Sequence, residues 1–154
     1  MYRAIDIANW FIEKFDRTSG DLITHLKVQK LLYYAEAWTQ VLLDRQLFRE
    51  DFEAWAHGPV VRSVYNVFRD YNWQPLSVSE EPPVLTEDVE EVLLEVLETY
   101  GEASAKTLEK MTHLDRPWID ARKGFAPEER CDNVIPKAEI KTYFLDKYGE
   151  AVGG

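Results

Sequence analysis

One segment near the N-terminus constrains the fold more than any other, because it is apolar on most sides of the helix that it predicts. Residues 26–44 read LKVQKLLYYAEAWTQVLLD, with apolar side chains at helical spacing along two neighbouring stripes. The first stripe is Val28, Leu31, Ala35, Trp38 and Leu42, and the second adds Leu32, Tyr34, Val41 and Leu43. A helix with so wide an apolar surface is usually buried at the centre of a protein. The sequence therefore predicts that the other elements pack around this helix.

The remaining segments predict shorter helices joined by turns and loops. Apolar spacing and helix-start residues place these helices at about 4–17, 59–71, 86–100, 103–113 and 116–122, with a last one from Pro136. Gly58-Pro59 is predicted to open the helix at 59–71, since proline is favoured at the first helical position. Residues 45–58 predict an irregular connection with one small β element around 47–55, and 123–135 predict a loop.

Together these segments predict a mainly helical, all-α fold of about seven helices. The sequence contains no internal repeat and no linker long enough to divide domains. It therefore predicts a single domain over residues 1–154, with an ordered core at about 4–148.

Acidic side chains are concentrated in one part of the chain. The formal net charge is −10, and residues 80–102 contain nine acids and no base. Phosphate backbones repel such a surface, so direct binding of nucleic acid is not expected. Within this segment Glu90, Glu91, Glu95 and Glu98 are predicted to project outward, because the other side of the helix is apolar. Two interpretations stay open: a solvated helix face, or a surface that speeds encounter with a basic partner while specificity lies elsewhere.

Several classes of protein and site are excluded by what the sequence lacks. No apolar run approaches the roughly 20 residues of a membrane span, and the N-terminus has no signal-peptide core. Cys131 is the single cysteine, so no internal disulfide is possible, and no motif has metal-ligand spacing. Phosphate-binding glycine motifs and recognisable catalytic sets are missing as well. The sequence therefore predicts a cytoplasmic protein that is not an enzyme and binds no metal or cofactor.

A helix-turn-helix is the nucleic-acid-binding motif that the spacing allows. Residues 87–100 and 103–113 would be its two helices, and the second offers Lys106 and Lys110 but also Glu109. The glutamates of the first helix would repel DNA, so a transcriptional regulator is the weakest function considered.

Three blocks of sequence carry a resemblance to a known family. They are Thr24–Trp38 (THLKVQKLLYYAEAW), Phe52–Tyr65, which contains AWAHGPVV, and Thr112–Arg122, which contains HLDRPW. Together with the closing Ile140–Phe144, these blocks resemble the Panacea domain of SocA-like antitoxins, a family that includes phage-associated proteins of the GepA type. The resemblance covers about residues 4–148, although the acidic segment matches only as a helix.

The resemblance implies a non-enzymatic antitoxin module that binds and neutralises a cognate protein toxin encoded beside it. For some members it also implies an adaptor role that delivers the toxin to an AAA+ protease. The alternative is a prophage-encoded adaptor or regulator that binds a host protein without any toxin.

Most residues of the three blocks are interpreted as structural, from their spacing and from helix-start signals. This group comprises Leu31, Leu32, Trp38, Trp55, Gly58, Pro59, Pro117 and Trp118. Gln29, Lys30, Tyr33 and His57 are harder to explain by packing, and they are predicted to form part of a partner surface or a buried polar network that supports it. The four glutamates at positions 90, 91, 95 and 98 complete the set of partner-binding candidates.

Overall fold

A computed structural model describes residues 1–18, 23–72 and 74–152 of the chain. Its helices are α1 (Ala4–Thr18), α2 (His25–Leu43), α3 (Arg62–Phe68), α4 (Glu87–Tyr100), α5 (Ala105–Thr112), α6 (Arg116–Ala121) and α7 (Lys137–Val152). Three short strands, β1 (Phe52–Trp55), β2 (Gly58–Val60) and β3 (Val134–Ile135), form an antiparallel sheet in the order β2-β1-β3. The described chain is therefore mostly helical, as predicted, but it includes a small sheet.

Helix α2 lies at the centre of the core, as its sequence predicts. Leu31, Leu32 and Ala35 are fully buried, and α1, α4, α5 and α7 all pack against this helix. Its more polar stripe is buried too, since Gln29 is 2% exposed and Glu36 is 0% exposed. These polar side chains must find their hydrogen-bond partners inside the protein.

The prediction that Gly58-Pro59 opens a helix is wrong. The two residues belong to β2, where Pro59 lies opposite Ala54 and Gly58 lies opposite Trp55. Helix α3 begins only at Arg62. Proline is tolerated in β2 because this strand lies at the edge of the sheet, where a missing N–H need not interrupt the ladder.

The loop predicted at 123–135 ends in a strand instead. Its last two residues form β3, which pairs with β1 on the side opposite β2. A strand of two residues has no periodicity that a sequence could display, so its pairing depends on the rest of the fold. The β element predicted around 47–55 is confirmed as β1, and Phe48 forms an isolated parallel bridge with Tyr2.

The helix boundaries predicted from caps and spacing agree with the structure to within about two residues at α1, α2, α5, α6 and the start of α7. Ser104 caps α5, because its hydroxyl oxygen accepts a hydrogen bond from the backbone N of Thr107 at 3.1 Å. None of the helices in the described ranges is long and apolar enough to cross a membrane.

Helix α4 carries the acidic segment and keeps its predicted apolar face in the core. Val89, Leu93 and Val96 are each at most 2% exposed. The helix begins after Thr86, as predicted, although the Thr86 hydroxyl donates to the Asp88 carboxylate at 2.7 Å instead of capping the helix.

Candidate functional site

The hairpin formed by β1 and β2 closes tightly against α2 and α5. Gly58, at the end of its turn, has a φ of +108°, a conformation that favours glycine. A Cβ atom at this position would lie 2.6 Å from Cε of Lys30 and 2.8 Å from Oγ1 of Thr112. The missing side chain therefore allows the hairpin to approach both helices.

Gln29 joins α2 to the end of the hairpin through its side-chain amide. Its Oε1 accepts a hydrogen bond from the backbone N of Val61 at 2.8 Å, and its Nε2 donates to the Val61 carbonyl at 3.3 Å. The Gln29 amide thus bonds both backbone groups of Val61, in the way that a residue of a neighbouring β-strand would. The same Nε2 lies 3.1 Å from Nε2 of His25, and burial, assisted by the charge of Lys30, lowers the pKa of His25 to about 4.

Lys30 is fully buried beneath the same turn. Its Nζ donates to the carbonyl oxygen of Pro59 at 3.4 Å, which is long for a hydrogen bond. Burial lowers the pKa of Lys30 to about 7, and the charge of Glu109 opposes this shift only in part. Lys30 therefore loses its proton near neutral pH instead of staying charged.

Lys30 makes the stability of the protein depend on pH. The unfolded chain holds this proton up to the ordinary lysine pKa of 10.5, whereas the folded chain releases it near 7. Between these values the unfolded state binds more protons, so we expect the free energy of unfolding to rise with pH by about 1 kcal/mol per unit. Chemical denaturation at pH 7.5, 8.0 and 8.5 measures this slope.

The matched variant for this measurement is Lys30→Met, which has a side chain of similar length and no charge. We expect its stability to be nearly independent of pH over the same window. The window ends at pH 8.5 because burial raises the pKa values of Tyr33, Tyr34 and Tyr100. The unfolded tyrosines therefore ionise first, from about pH 9 upward, and this opposes the slope. An equal slope in the wild type and in Lys30→Met would contradict the assignment to Lys30.

Asp115 ties three helices together at the N-terminus of α6. Its carboxylate accepts hydrogen bonds from the hydroxyl of Tyr33 on α2 at 3.0 Å and from that of Tyr143 on α7 at 2.9 Å. Burial is the main cause that raises the pKa of both Asp115 and Tyr33. Tyr33 is 0% exposed, so this pair of hydrogen bonds holds the core together below the surface.

The third sequence block packs its aromatic and basic side chains under the hairpin. Nε1 of Trp118 donates to the carbonyl of Trp55 at 2.9 Å, and its ring stacks on His113 with centroids 4.1 Å apart. Arg122 is 2% exposed and donates to the carbonyl of Ala54 at 2.8 Å. Sequence reasoning did not single out Arg122. The available signal is its spacing of four residues from Trp118, which places both on one helical face.

The three blocks therefore meet at one buried place, which we call the hairpin junction and define as Gln29, Lys30, Gly58, Thr112 and Trp118. Gln29 and Lys30, together with Tyr33, are at most 2% exposed. Because the helix that carries them is central, these three side chains lie beneath the surface in this structure. Their part in a partner surface, or in a buried polar network that supports it, stays a prediction.

A comparison with known protein families finds a match over the region that contains this junction. The family model described as antitoxin SocA-like, Panacea domain, matches residues 28–119, which is more than half of the chain. The chain belongs to the SocA-like Panacea family. The matched range of the Panacea domain runs from α2 into α6 and so includes the whole junction. No curated protein and no solved structure matches the chain.

His57 marks the hairpin turn on the surface of the Panacea domain. Its side chain is 68% exposed, and its Nδ1 lies 3.0 Å from Oε1 of Glu109 on α5. Half-buried Trp55 lies near it in the hairpin and packs its ring against Tyr65, with centroids 4.8 Å apart. Of the four candidates taken from the sequence blocks, His57 is therefore the one that reaches solvent.

The other candidates form the acidic face, which we define as Glu90, Glu91, Glu95 and Glu98 of α4. All four side chains are exposed, and within the described ranges none of them forms an ion pair. Asp88, at the start of the same helix, differs because it pairs with Arg45 at 2.8 Å. The acidic face is thus an uncompensated negative surface, and it lies on a different element from the hairpin. Among the described residues, no three His, Cys, Asp or Glu side chains come together as metal ligands.

Proposed function

We propose that this protein is an antitoxin-like binding protein that neutralises a cognate protein toxin by direct, stoichiometric binding. The observation that carries the proposal is membership of the SocA-like Panacea family over residues 28–119. The geometry supports it, since the buried junction fixes the hairpin while His57 and the acidic face stay accessible to a partner. Action without catalysis, in the cytoplasm, belongs to the same proposal.

Co-expression with each gene that flanks the coding sequence tests this function. We expect one neighbour to stop growth when expressed alone, and growth to return when this chain is produced with it. We also expect the two proteins to co-purify in a fixed ratio. The antitoxin role would be contradicted if no flanking gene is both toxic alone and rescued by this chain. If rescue also requires an AAA+ protease of the host, the protein would act as an adaptor as well.

The acidic face is expected to speed the encounter with a basic partner. Exposed charges mainly raise association rates, and salt screens them over a Debye length of about 8 Å at physiological ionic strength. We therefore expect a Glu90→Gln, Glu91→Gln, Glu95→Gln, Glu98→Gln variant to associate about tenfold more slowly at low salt. The difference should shrink at high salt, with little change in dissociation. Surface-immobilised toxin from the co-expression test allows both rates to be measured.

A matched control removes the same number of negative charges as the acidic-face variant, but at positions that are dispersed over the chain. The variant with Asp51→Asn, Asp70→Asn, Glu128→Gln and Asp146→Asn removes four exposed acids outside α4. It should associate nearly as fast as the wild type, because its charges are not gathered on one face. If both variants associate with the toxin equally slowly, the net charge of the protein sets the association rate, and the acidic face has no separate effect.

A further inference from the structure

A trough runs along the surface between the C-terminal half of α2 and the whole of α4. It consists of two adjoining depressions with volumes of about 400 and 430 Å³, which share Leu42, Val92 and Glu95. Its lining extends along α4 from Asp88 to Tyr100, a distance of about 18 Å at the rise of an α-helix. We call this feature the α2–α4 trough. It is long enough to hold about three turns of a second helix.

The floor of the trough is apolar and unusually exposed. Leu42 is 47% exposed and Leu94 is 44% exposed, although the other apolar side chains of these two helices are buried or half-buried. Half-buried Trp38 lines the first depression beside Leu42, and its Nε1 donates to the Tyr100 hydroxyl at 2.9 Å. The polar atoms of this pair are therefore occupied with each other, which leaves an apolar surface to meet a ligand.

The rim of the trough is negative. Of the described residues that line the two depressions, four are acids and none is a base. The acids are Asp88, which pairs with Arg45, and Glu91, Glu95 and Glu98, which belong to the acidic face and form no ion pair within the described ranges. An apolar floor with such a rim matches a segment that carries apolar side chains along one side and Lys or Arg along its flanks.

We propose that the α2–α4 trough is a docking site for a cationic amphipathic helix of a protein partner. This proposal rests on the proposed function, and it adds the chemistry of the partner. A trough between two helices suits an amphipathic helix, whose apolar anchors recur every three or four residues. The leucines would hold the bound helix and limit dissociation, while the glutamates would speed its arrival.

The charge of the rim also argues against the other occupants. A second copy of this chain, docked through the same trough, would bring the two acidic rims together and repel. An anionic lipid surface or a nucleic acid would be repelled for the same reason. A protein segment rich in Lys and Arg is the occupant that the rim attracts.

A synthetic peptide tests the site without any toxin. The probe is a labelled helical peptide of about 15 residues, four turns long, with leucines on one face and lysines on the other. The control peptide has the same composition in scrambled order, so that it keeps the charge but has no apolar face. We expect the amphipathic peptide to bind at least about tenfold more tightly by fluorescence anisotropy, and to keep part of its affinity at high salt.

Variants of the protein then locate the binding surface. Leu42→Ser combined with Leu94→Ser should weaken binding of the amphipathic peptide by about tenfold, mainly through faster dissociation. Leu145→Ser is the matched control, because Leu145 is a helical leucine of α7 that is 42% exposed and lies outside the lining of the trough. All these side chains are well exposed, so each variant should melt close to the wild-type temperature.

The outcomes separate this proposal from the antitoxin role. Equal affinity for the two peptides, or unchanged binding by the Leu42→Ser, Leu94→Ser variant, would overturn the docking site. A dimer of the free protein that this double variant dissociates would overturn it in favour of self-association. If the Leu42→Ser, Leu94→Ser variant still rescues growth, the antitoxin role would stand, and the trough would have no part in it. If the amphipathic peptide binds to the trough but no neighbouring gene is toxic and rescued, the docking site would stand and the antitoxin role would fall.

Discussion

Replacement of Glu36 by alanine is expected to lower the free energy of unfolding by about 3–5 kcal/mol. Glu36 is fully buried on α2, and its Oε1 lies 3.0 Å from Nζ of Lys137 at the start of α7. The same carboxylate accepts hydrogen bonds from the backbone N of Leu47 at 3.2 Å and of Phe48 at 3.3 Å. Without it, a buried ammonium group loses its counter-charge and two buried amides lose their acceptor. Urea denaturation of the purified variant measures the loss.

A double variant shows whether the loss comes from the unpaired charge. Glu36→Leu with Lys137→Met removes both charges and keeps most of the packed volume, so it should recover a large part of the stability that either single change loses. Glu128→Ala, at an exposed acid of the loop after α6, should stay within about 0.5 kcal/mol of the wild type. Simple additivity of Glu36→Leu and Lys137→Met, each measured alone, would show that Glu36 and Lys137 do not act as a pair.

Much of the helical framework could be predicted from local sequence. The double apolar stripe at 26–44 required a central helix, and the spacing from Val89 to Tyr100 required a helix with one buried side. Most helix ends agreed to within about two residues because the signals for them are local, and the start of α3, predicted from Pro59, is the exception.

Strand β2 of the hairpin was not predicted, because the sequence at Gly58-Pro59 suits two local structures. Proline at position 59 has the fixed φ that suits the first turn of a helix, and that same φ suits an edge strand. The choice depends on β1 and on the glycine at position 58, which approaches α2 and α5 too closely for a side chain. Strand β3 depends likewise on partners about 80 residues away along the chain.

The hydrogen-bond partners of the buried polar residues of α2 were the other feature that the sequence could not identify. For Gln29 and Tyr33 the sequence left two interpretations open, a partner surface or a buried polar network that supports it. In the structure each of these side chains meets a group from outside α2, such as the backbone of Val61 or the carboxylate of Asp115. Such pairing leaves no trace in the spacing of a single helix. A helix with apolar stripes on most sides and polar residues between them is nevertheless a signal for internal hydrogen bonds.

Gly58→Ala is expected to cost about 2–5 kcal/mol, from backbone strain and from overpacking together. The new Cβ atom would lie 2.6 Å from Cε of Lys30 and 2.8 Å from Oγ1 of Thr112, at a φ of +108°. Lys30 is fully buried, so its side chain has little room to move away. The hairpin must therefore shift outward, and thermal and urea denaturation should both show the loss.

Gly124→Ala separates the two causes. Gly124 also has a positive φ, +88°, but a Cβ atom there would have no neighbour within 4 Å. Its substitution should therefore cost only the backbone strain, about 1 kcal/mol. If Gly58→Ala lowers the free energy of unfolding no more than Gly124→Ala does, the hairpin has room to relax, and close packing is not the reason for glycine at position 58.

If Gly58→Ala lowers the free energy of unfolding more, the difference measures the packing of Lys30 and Thr112 against the turn that carries His57. A shifted turn should then also weaken toxin binding if His57 contacts the toxin, whereas Gly124→Ala should leave that binding unchanged.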